Sequence, residues 1–244
     1  MRSAEPPVRA VVEIAAQLLI GTEAHLLGVP EGSAGLIVNW MSYIAPTRPA
    51  VWFRGVFRER YHLGGAGLRG RDYIMVRLGA PDDAPALAAL LRDVFAQTYG
   101  AAIPAELLVA YTARTFAPAR LAAELADPAQ PMVLAWEGDT LVGASCMALA
   151  APPVEMTLAA PLEIRRFYVA PERHGRGIAT ALLAASLAVA RQQQRDTVWL
   201  CVWETNGRAL GFYRRHGFQP VGTTIISVDH ILFHDIVLAR GAAG

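Results

Sequence analysis

Lysine is absent from this 244-residue chain, cysteine occurs only twice, and charged residues are few and nearly balanced. Each scarcity excludes something. Without lysine there is no Gly-Lys-Ser/Thr loop of the kind that grips a nucleoside triphosphate. The two cysteines, Cys146 and Cys201, sit inside apolar runs and read as reduced core residues rather than a disulfide framework. A formal net charge of +1 gives no general attraction to nucleic acid or to an anionic membrane. No apolar run reaches the length of a bilayer span. The N-terminal VVEIAAQLLIG is interrupted by Glu13 and Gln17, and no cleavage signal follows it, so a cytoplasmic location is expected. No internal repeat is present.

What the chain does have is apolar residues: 54% of it is hydrophobic against 18% charged, enough to bury a substantial core. Two unequal parts are expected. Residues 1–70 read as an N-terminal extension without a motif, packing loosely or not at all. It would hold a helix over 7–27, then glycine- and proline-rich text, then a strand at AVWFRGVF, and end in the linker-like LGGAGLRGR. Residues 71–244 read as one domain. YIMVRL is a strand, and Pro81, Asp82 and Asp83 open a helix through Phe95, with acids where the helix dipole favours them. Further helices are predicted near 104–115 and 118–126. PMVLAWEGDTLVGASCMALA reads as a hairpin turning at Glu137-Gly138-Asp139. Next come a strand EIRRFYV, a long helix, a doubly buried strand TVWLCVW, a helix from Asn206 to His216 closed by Gly217, and two final strands near 221–228 and 230–238.

The segment between EIRRFYV and the long helix is PERHGRGIATALL. A strand–helix–strand crossover makes EIRRFYV and TVWLCVW parallel. The first amides of the helix have no internal partner and carry partial positive charge. Gly175 and Gly177 clear side chains from the approach, so a phosphate can reach the backbone, while Arg173, His174 and Arg176 add positive potential. A dinucleotide fingerprint does not fit: its third glycine is replaced by Thr180, and Asp196 precedes the next strand instead of closing it. The plain alternative is a tight strand–helix turn with solvated arginines.

A second constellation follows TVWLCVW: ETNGRALGFYRRHGF. With it the sequence resembles the GNAT superfamily of acyl-CoA-dependent N-acyltransferases. The first family element appears as His174, Gly177 and Ala179, with histidine where arginine or glutamine is usual. The second, Asn-x-x-Ala-x-x-Phe-Tyr-x-x-x-Gly-Phe, appears as Asn206, Ala209, Phe212, Tyr213, Gly217 and Phe218. The resemblance covers residues 73–240. It implies a mixed α/β (α+β) fold: a mostly antiparallel sheet flanked by helices, with a central parallel pair splayed at the cofactor site. LEIRRFYV, the His-Gly-x-Gly run and WLCVWETN ahead of FYRRHGF further resemble a branch that includes bacterial spermidine/spermine (polyamine) N-acetyltransferases. Arg165 and Arg166 stand where an acid would suit a cationic acceptor better.

The resemblance implies acetyl-CoA as co-substrate, no metal, and direct attack of an amine on the thioester. The pantetheine arm would pair with the backbone of Phe167, Tyr168 and Val169, and the diphosphate would sit on Gly175, Arg176, Gly177, Ile178, Ala179 and Thr180. Asn206, Ala209 and Phe212 would complete the coenzyme site. An amide N–H near Val169 would steady the oxyanion. An alkyl amine of pKa ~10.4 is only about 0.04% neutral at pH 7, a handicap of roughly 4.6 kcal/mol, so a base is useful. Glu163 is the candidate base, acting through water; a surface or ion-paired glutamate is its plain alternative. Tyr213 is the candidate proton donor to the leaving thiolate. Trp199 and Trp203 read as core, and Glu204 and Asp229 as acids that could touch the acceptor. The expected activity is transfer of an acetyl group to a primary amine, a polyamine or another small amine. The alternatives are a protein, peptide or drug amine, or a non-catalytic acyl-CoA-binding module. A small amine acceptor is expected as partner; the superfamily leaves a homodimer open.

Overall fold

A computed structural model describes residues 74–155 and 160–242 in full, and the backbone alone of residues 9–19, 33–45 and 48–58. The linker-like LGGAGLRGR, Tyr73 and the stretch 20–27 lie outside the described residues. The chain divides into two units. The first takes the described residues up to Gly79 together with Val133–Ala144 and Val169–Leu182; the second takes Ala80–Met132, Ser145–Tyr168 and the described residues from Leu183 onward.

The first unit is built on strands β1 (Arg9–Leu19), β2 (Ser33–Ala45), β3 (Arg48–Arg58), β4 (Ile74–Leu78), β5 (Met132–Glu137) and β6 (Thr140–Ala148), in that order across the sheet. Antiparallel ladders join β1 to β2, β2 to β3, β3 to β4 and β4 to β5. The helix expected over 7–27 is therefore wrong where the structure describes it. Arg9–Leu19 is a strand, paired along its length with β2. Its apolar run satisfies either period, and the β-branched Val11, Val12 and Ile14 suit a pleated surface once a partner strand is present. Strand β2 has no counterpart in the sequence reading; β3 covers the predicted AVWFRGVF. The β5–β6 turn is Gly138-Asp139, with Gly138 at φ +58°, a left-handed conformation suited to glycine.

The second unit opens with α1 (Ala84–Tyr99), introduced by a short 3₁₀ turn at Pro81–Asp83 whose Asp83 Oδ2 accepts from Ala80 N–H at 2.8 Å. Leu87, Leu91, Val94 and Phe95 form the buried stripe of α1. The helix outruns the predicted Phe95 because AQTY contains no breaker before Gly100. Helices α2 (Ala105–Thr115) and α3 (Pro118–Ala126) follow as predicted. Strands β7 (Pro161–Val169) and β8 (Thr197–Trp203) flank α4 (Ile178–Gln192); then come α5 (Gly207–Arg215), β9 (Gln219–Val228) and β10 (Ile231–Gly241). The strand order here is β6-β7-β8-β10-β9. The last hairpin doubles back, so β10 pairs with β8 and leaves β9 outside.

β7 and β8 run parallel, as the crossover requires, but their ladder is short. It joins Pro161 to Thr197, Leu162 to Val198 and Glu163 to Trp199. Both strands continue past the last pair. The start of this fork is fastened by Asp196: its backbone N–H and O bond Ala160 O and Ala242 N–H, and its Oδ2 accepts from Ala160 N–H at 3.2 Å. A buried hydroxyl pair, Ser186 to Ser145 at 2.8 Å, ties α4 to β6. Both cysteines are free thiols, and burial pushes Cys146 up to about 11. Among the described residues no helix is long and apolar enough to cross a membrane, and no group of three or more His, Cys, Asp or Glu could hold a metal ion.

Candidate functional site

The predicted site residues divide between the units. Val169, His174, Gly175, Arg176, Gly177, Ile178, Ala179 and Thr180 belong to the first; Glu163, Phe167, Tyr168, Asn206, Ala209, Phe212 and Tyr213 belong to the second.

In the first unit the chain leaves β7 at Val169 and reaches α4 through a 3₁₀ turn, Pro171–Arg173, and the His174–Gly177 loop. Gly175 and Gly177 take φ +78° and +76°, so both need glycine for backbone reasons, and a Cβ at Gly175 would meet nothing within 4 Å. Ala181 N–H bonds Gly177 O at 3.0 Å, which opens the helix and leaves the Ile178 and Ala179 amides ahead of its first internal bond. This is anion-binding backbone geometry. The side chains do something the sequence reading did not foresee. Arg173 Nε and Arg176 Nη2 both donate to the Glu137 carboxylate, each at 2.7 Å, bracing the loop on the end of β5. His174 Nε2 donates to Val169 O at 2.9 Å, closing the loop on the strand it leaves. Part of the positive potential assigned to the two arginines is thus met inside the protein.

In the second unit Asn206 caps α5: its Oδ1 accepts from Ala209 N–H at 3.1 Å, so both residues serve the helix start. Tyr213 is buried on the same helix, ringed edge-on by Phe167 at 5.9 Å and Phe218 at 5.3 Å. Burial drives its phenol far above the ordinary range, so the proton stays on. Phe212 packs on Phe167 at 5.9 Å and on His216 at 4.3 Å. The phenol of Tyr168 is likewise pushed up by burial.

Glu163 sits on the last rung of the parallel ladder and accepts from Arg165 Nε at 3.3 Å. Arg166 donates to Glu124 Oε2 at 2.8 Å and lies over the Phe116 ring. Glu124 also takes Arg120 at 2.9 Å; burial works to raise its carboxyl, and the two arginines outweigh that and hold it low. The arginine pair that looked hostile to a cationic acceptor is therefore balanced by its own acids. Asp229 is spoken for as well, by Arg114 at 2.7 Å.

A second cluster in this unit escaped the sequence reading. Trp203, at the end of β8, stacks on Tyr99 of α1 at 5.6 Å and meets Phe233 of β10 edge-on at 5.3 Å; Tyr99 and Phe233 meet at 5.4 Å. Asp235 pairs with Trp203 across the β10–β8 ladder. Burial, and then the like charge of Glu204, raise its carboxyl to about 6. Burial and then Asp235 lift Tyr99 and Cys201, each to about 12. Trp199, by contrast, is core as predicted, its indole donating to Ala150 O at 2.9 Å. The one sequence signal for this cluster was an acid among apolar residues in ILFHDIVLA.

Comparison with known proteins bears on the family and the fold. The acetyltransferase (GNAT) family profile matches residues 91–218. An uncharacterized N-acetyltransferase of Mycobacterium tuberculosis (strain ATCC 25618 / H37Rv) is 28% identical over 158 residues, covering 65% of this chain and 97% of the relative. The crystal structure of PaiA N-acetyltransferase from Thermoplasma acidophilum in complex with coenzyme A superposes with a TM-score of 0.56 at 19% identity, over 69% of this chain and 98% of that one. A ribosomal-protein-alanine N-acetyltransferase from Brucella melitensis gives 0.52 at 23% identity, over 68% and 98%. At these identities the two structures speak to the fold: a mixed, mostly antiparallel sheet with one parallel pair, flanked by helices.

Proposed function

Since the chain belongs to the acetyltransferase (GNAT) family, we propose that it moves an acetyl group from acetyl-CoA to the primary amine of a small acceptor by direct attack in a ternary complex. The observation that carries this reading is the loop with two left-handed glycines at the start of α4, matched by a buried tyrosine on α5 at the family's spacing. The Gly175–Thr180 segment takes the coenzyme's diphosphate on its amides. β7 beyond Glu163 is no longer laddered to β8, and its backbone through Phe167 and Val169 takes the pantetheine arm as an added strand. Asn206, Ala209 and Phe212 support that arm from α5.

Glu163, through water, draws a proton from the acceptor's ammonium. The freed nitrogen lone pair adds to the thioester carbon, and the carbonyl pair moves to oxygen, steadied by the amide N–H of Val169. Collapse reforms the carbonyl, breaks the carbon–sulfur bond and releases the thiolate, while the nitrogen gives up a second proton to water. Tyr213 acts on the departing sulfur. A phenol of pKa ~10 facing a thiol of ~8.5 is already uphill for full transfer by about 2 kcal/mol, and burial of Tyr213 steepens the climb. Its contribution is therefore a donated hydrogen bond, which strengthens as negative charge gathers on sulfur.

Acetyl-CoA consumption across a panel of alkyl amines, aryl amines and peptides with free N-termini tests the reading, with Tyr213→Phe run in parallel. We expect turnover with at least one small amine. In Tyr213→Phe we expect kcat to fall about tenfold to a hundredfold and coenzyme affinity to stay within about twofold. Coenzyme binding without turnover of any amine would leave only an acyl-CoA-binding module; peptide turnover alone would move the acceptor class.

A further inference from the structure

The last strand carries an acid that the chemistry above does not use. Asp235 is 8% exposed, and among the described residues nothing donates to its Oδ1. A buried carboxylate oxygen without a donor is costly and uncommon. The neighbouring charge that acts on it is that of Glu204, which has the same sign. Three arginines of this unit are held by other acids: Arg165 by Glu163, Arg166 by Glu124, Arg114 by Asp229. Around Asp235 stand three aromatic rings from three elements. Trp203 faces it across the ladder, Phe233 precedes it by two residues on the same face of β10, and Tyr99 packs on both rings. Tyr99 and Trp203 are only half-buried, so part of each residue reaches solvent. Aromatic faces and a desolvated carboxylate together suit an alkylammonium.

The held ammonium is not the nucleophile. Attack needs a neutral nitrogen, and a carboxylate beside an ammonium stabilises its protonated form. A monoamine seated here would be locked in its unreactive state. On the acetyl-transfer reading, we propose that Asp235, walled by Tyr99, Trp203 and Phe233, binds the non-reacting ammonium of a slender aliphatic diamine or polyamine, and that this contact selects the acceptor. Glu204, exposed one residue beyond Trp203, offers an anionic lip for a further ammonium.

The test uses the full chain saturated with coenzyme A for calorimetry and with acetyl-CoA for initial rates, and the probes are 1,4-diaminobutane and butylamine. We expect the diamine to bind at least tenfold tighter than the monoamine. Asp235→Asn, which keeps the shape and removes a buried charge, should raise the diamine KM at least tenfold while kcat stays within threefold and coenzyme affinity within twofold. Equal affinity for the two amines, or an unchanged diamine KM in the variant, overturns the proposal. The amine comparison needs no variant, so it decides alone if Asp235→Asn folds poorly. Diamine binding lost in the variant, without acetylation of any amine, would sink the transfer reading and leave the ammonium site standing. Acetylation of a monoamine, aryl amine or peptide with no diamine binding would do the reverse.

Discussion

The glycine loop before α4 and the aromatic corner around Asp235 are built on opposite plans. The loop offers main chain: Gly175 and Gly177 expose it, and the neighbouring side chains turn to bracing, Arg173 and Arg176 on Glu137 and His174 on Val169. The corner offers side chains: one carboxylate and three rings, drawn from α1, β8 and β10. Backbone amides recognise a phosphate whatever residue carries them, and neighbouring amides come from one contiguous stretch. Recognition of an amine depends on which side chains happen to meet, and those are dispersed along the sequence.

Experiments can press on that contrast. The largest effect belongs to the loop. Gly177→Asp forces a side chain into a left-handed position and sets a negative charge at the proposed anion cradle. Coenzyme A affinity should drop at least about a hundredfold while circular dichroism is unchanged; calorimetry showing retained affinity would break the main-chain account. Next in size is Tyr213→Phe, expected in kcat, and then Asp235→Asn, expected in acceptor KM. If Asp235→Asn instead shifted coenzyme affinity, the two regions would not be functionally separate. Glu137→Gln sharpens the comparison from the loop side. It frees both arginines, and the unbraced loop should weaken coenzyme binding by about threefold, measured by the same calorimetry. Tighter binding would mean that charge, not bracing, is what the arginines contribute.

The smallest effect is thermal. The Asp235 carboxyl titrates at about 6 in the folded protein against 3.8 in its ordinary state, raised by burial and then by Glu204. The folded chain therefore holds more protons than the unfolded chain in that window, and the stability this gives is complete below pH ~4 and lost as pH rises through ~6. The melting temperature of Asp235→Asn relative to the unmodified chain should accordingly increase from pH 4 to pH 7.5. A flat difference across that range would show that the carboxylate has found a donor.

Legibility in the sequence follows the same division. The hairpin at Gly138, the turn into α4 and the helix that follows Asn206 are local or periodic features, and each was readable from contiguous residues. Glu163 was recognisable as an acid on the strand, but its bond to Arg165 depends on side-chain directions that spacing alone does not give. Tyr99, Trp203 and Asp235 lie far apart along the chain; sheet register unites Trp203 with Asp235, and the packing of α1 brings Tyr99 to them. The N-terminal strand misread as a helix failed for a related reason. VVEIAAQLL suits both periods, and the decision lies with β2, a strand that glycine- and serine-containing text concealed.

The parallel ladder that stops at Glu163 and Trp199 has a last consequence. Beyond it, two adjoining strands leave one another with bonding capacity unspent, so the sheet is unfinished as synthesised. On the proposed reading, the pantetheine arm would complete it for the length of one catalytic cycle and then depart. The enzyme's resting state and its working state would differ by one strand, and that strand is a coenzyme arm, not polypeptide.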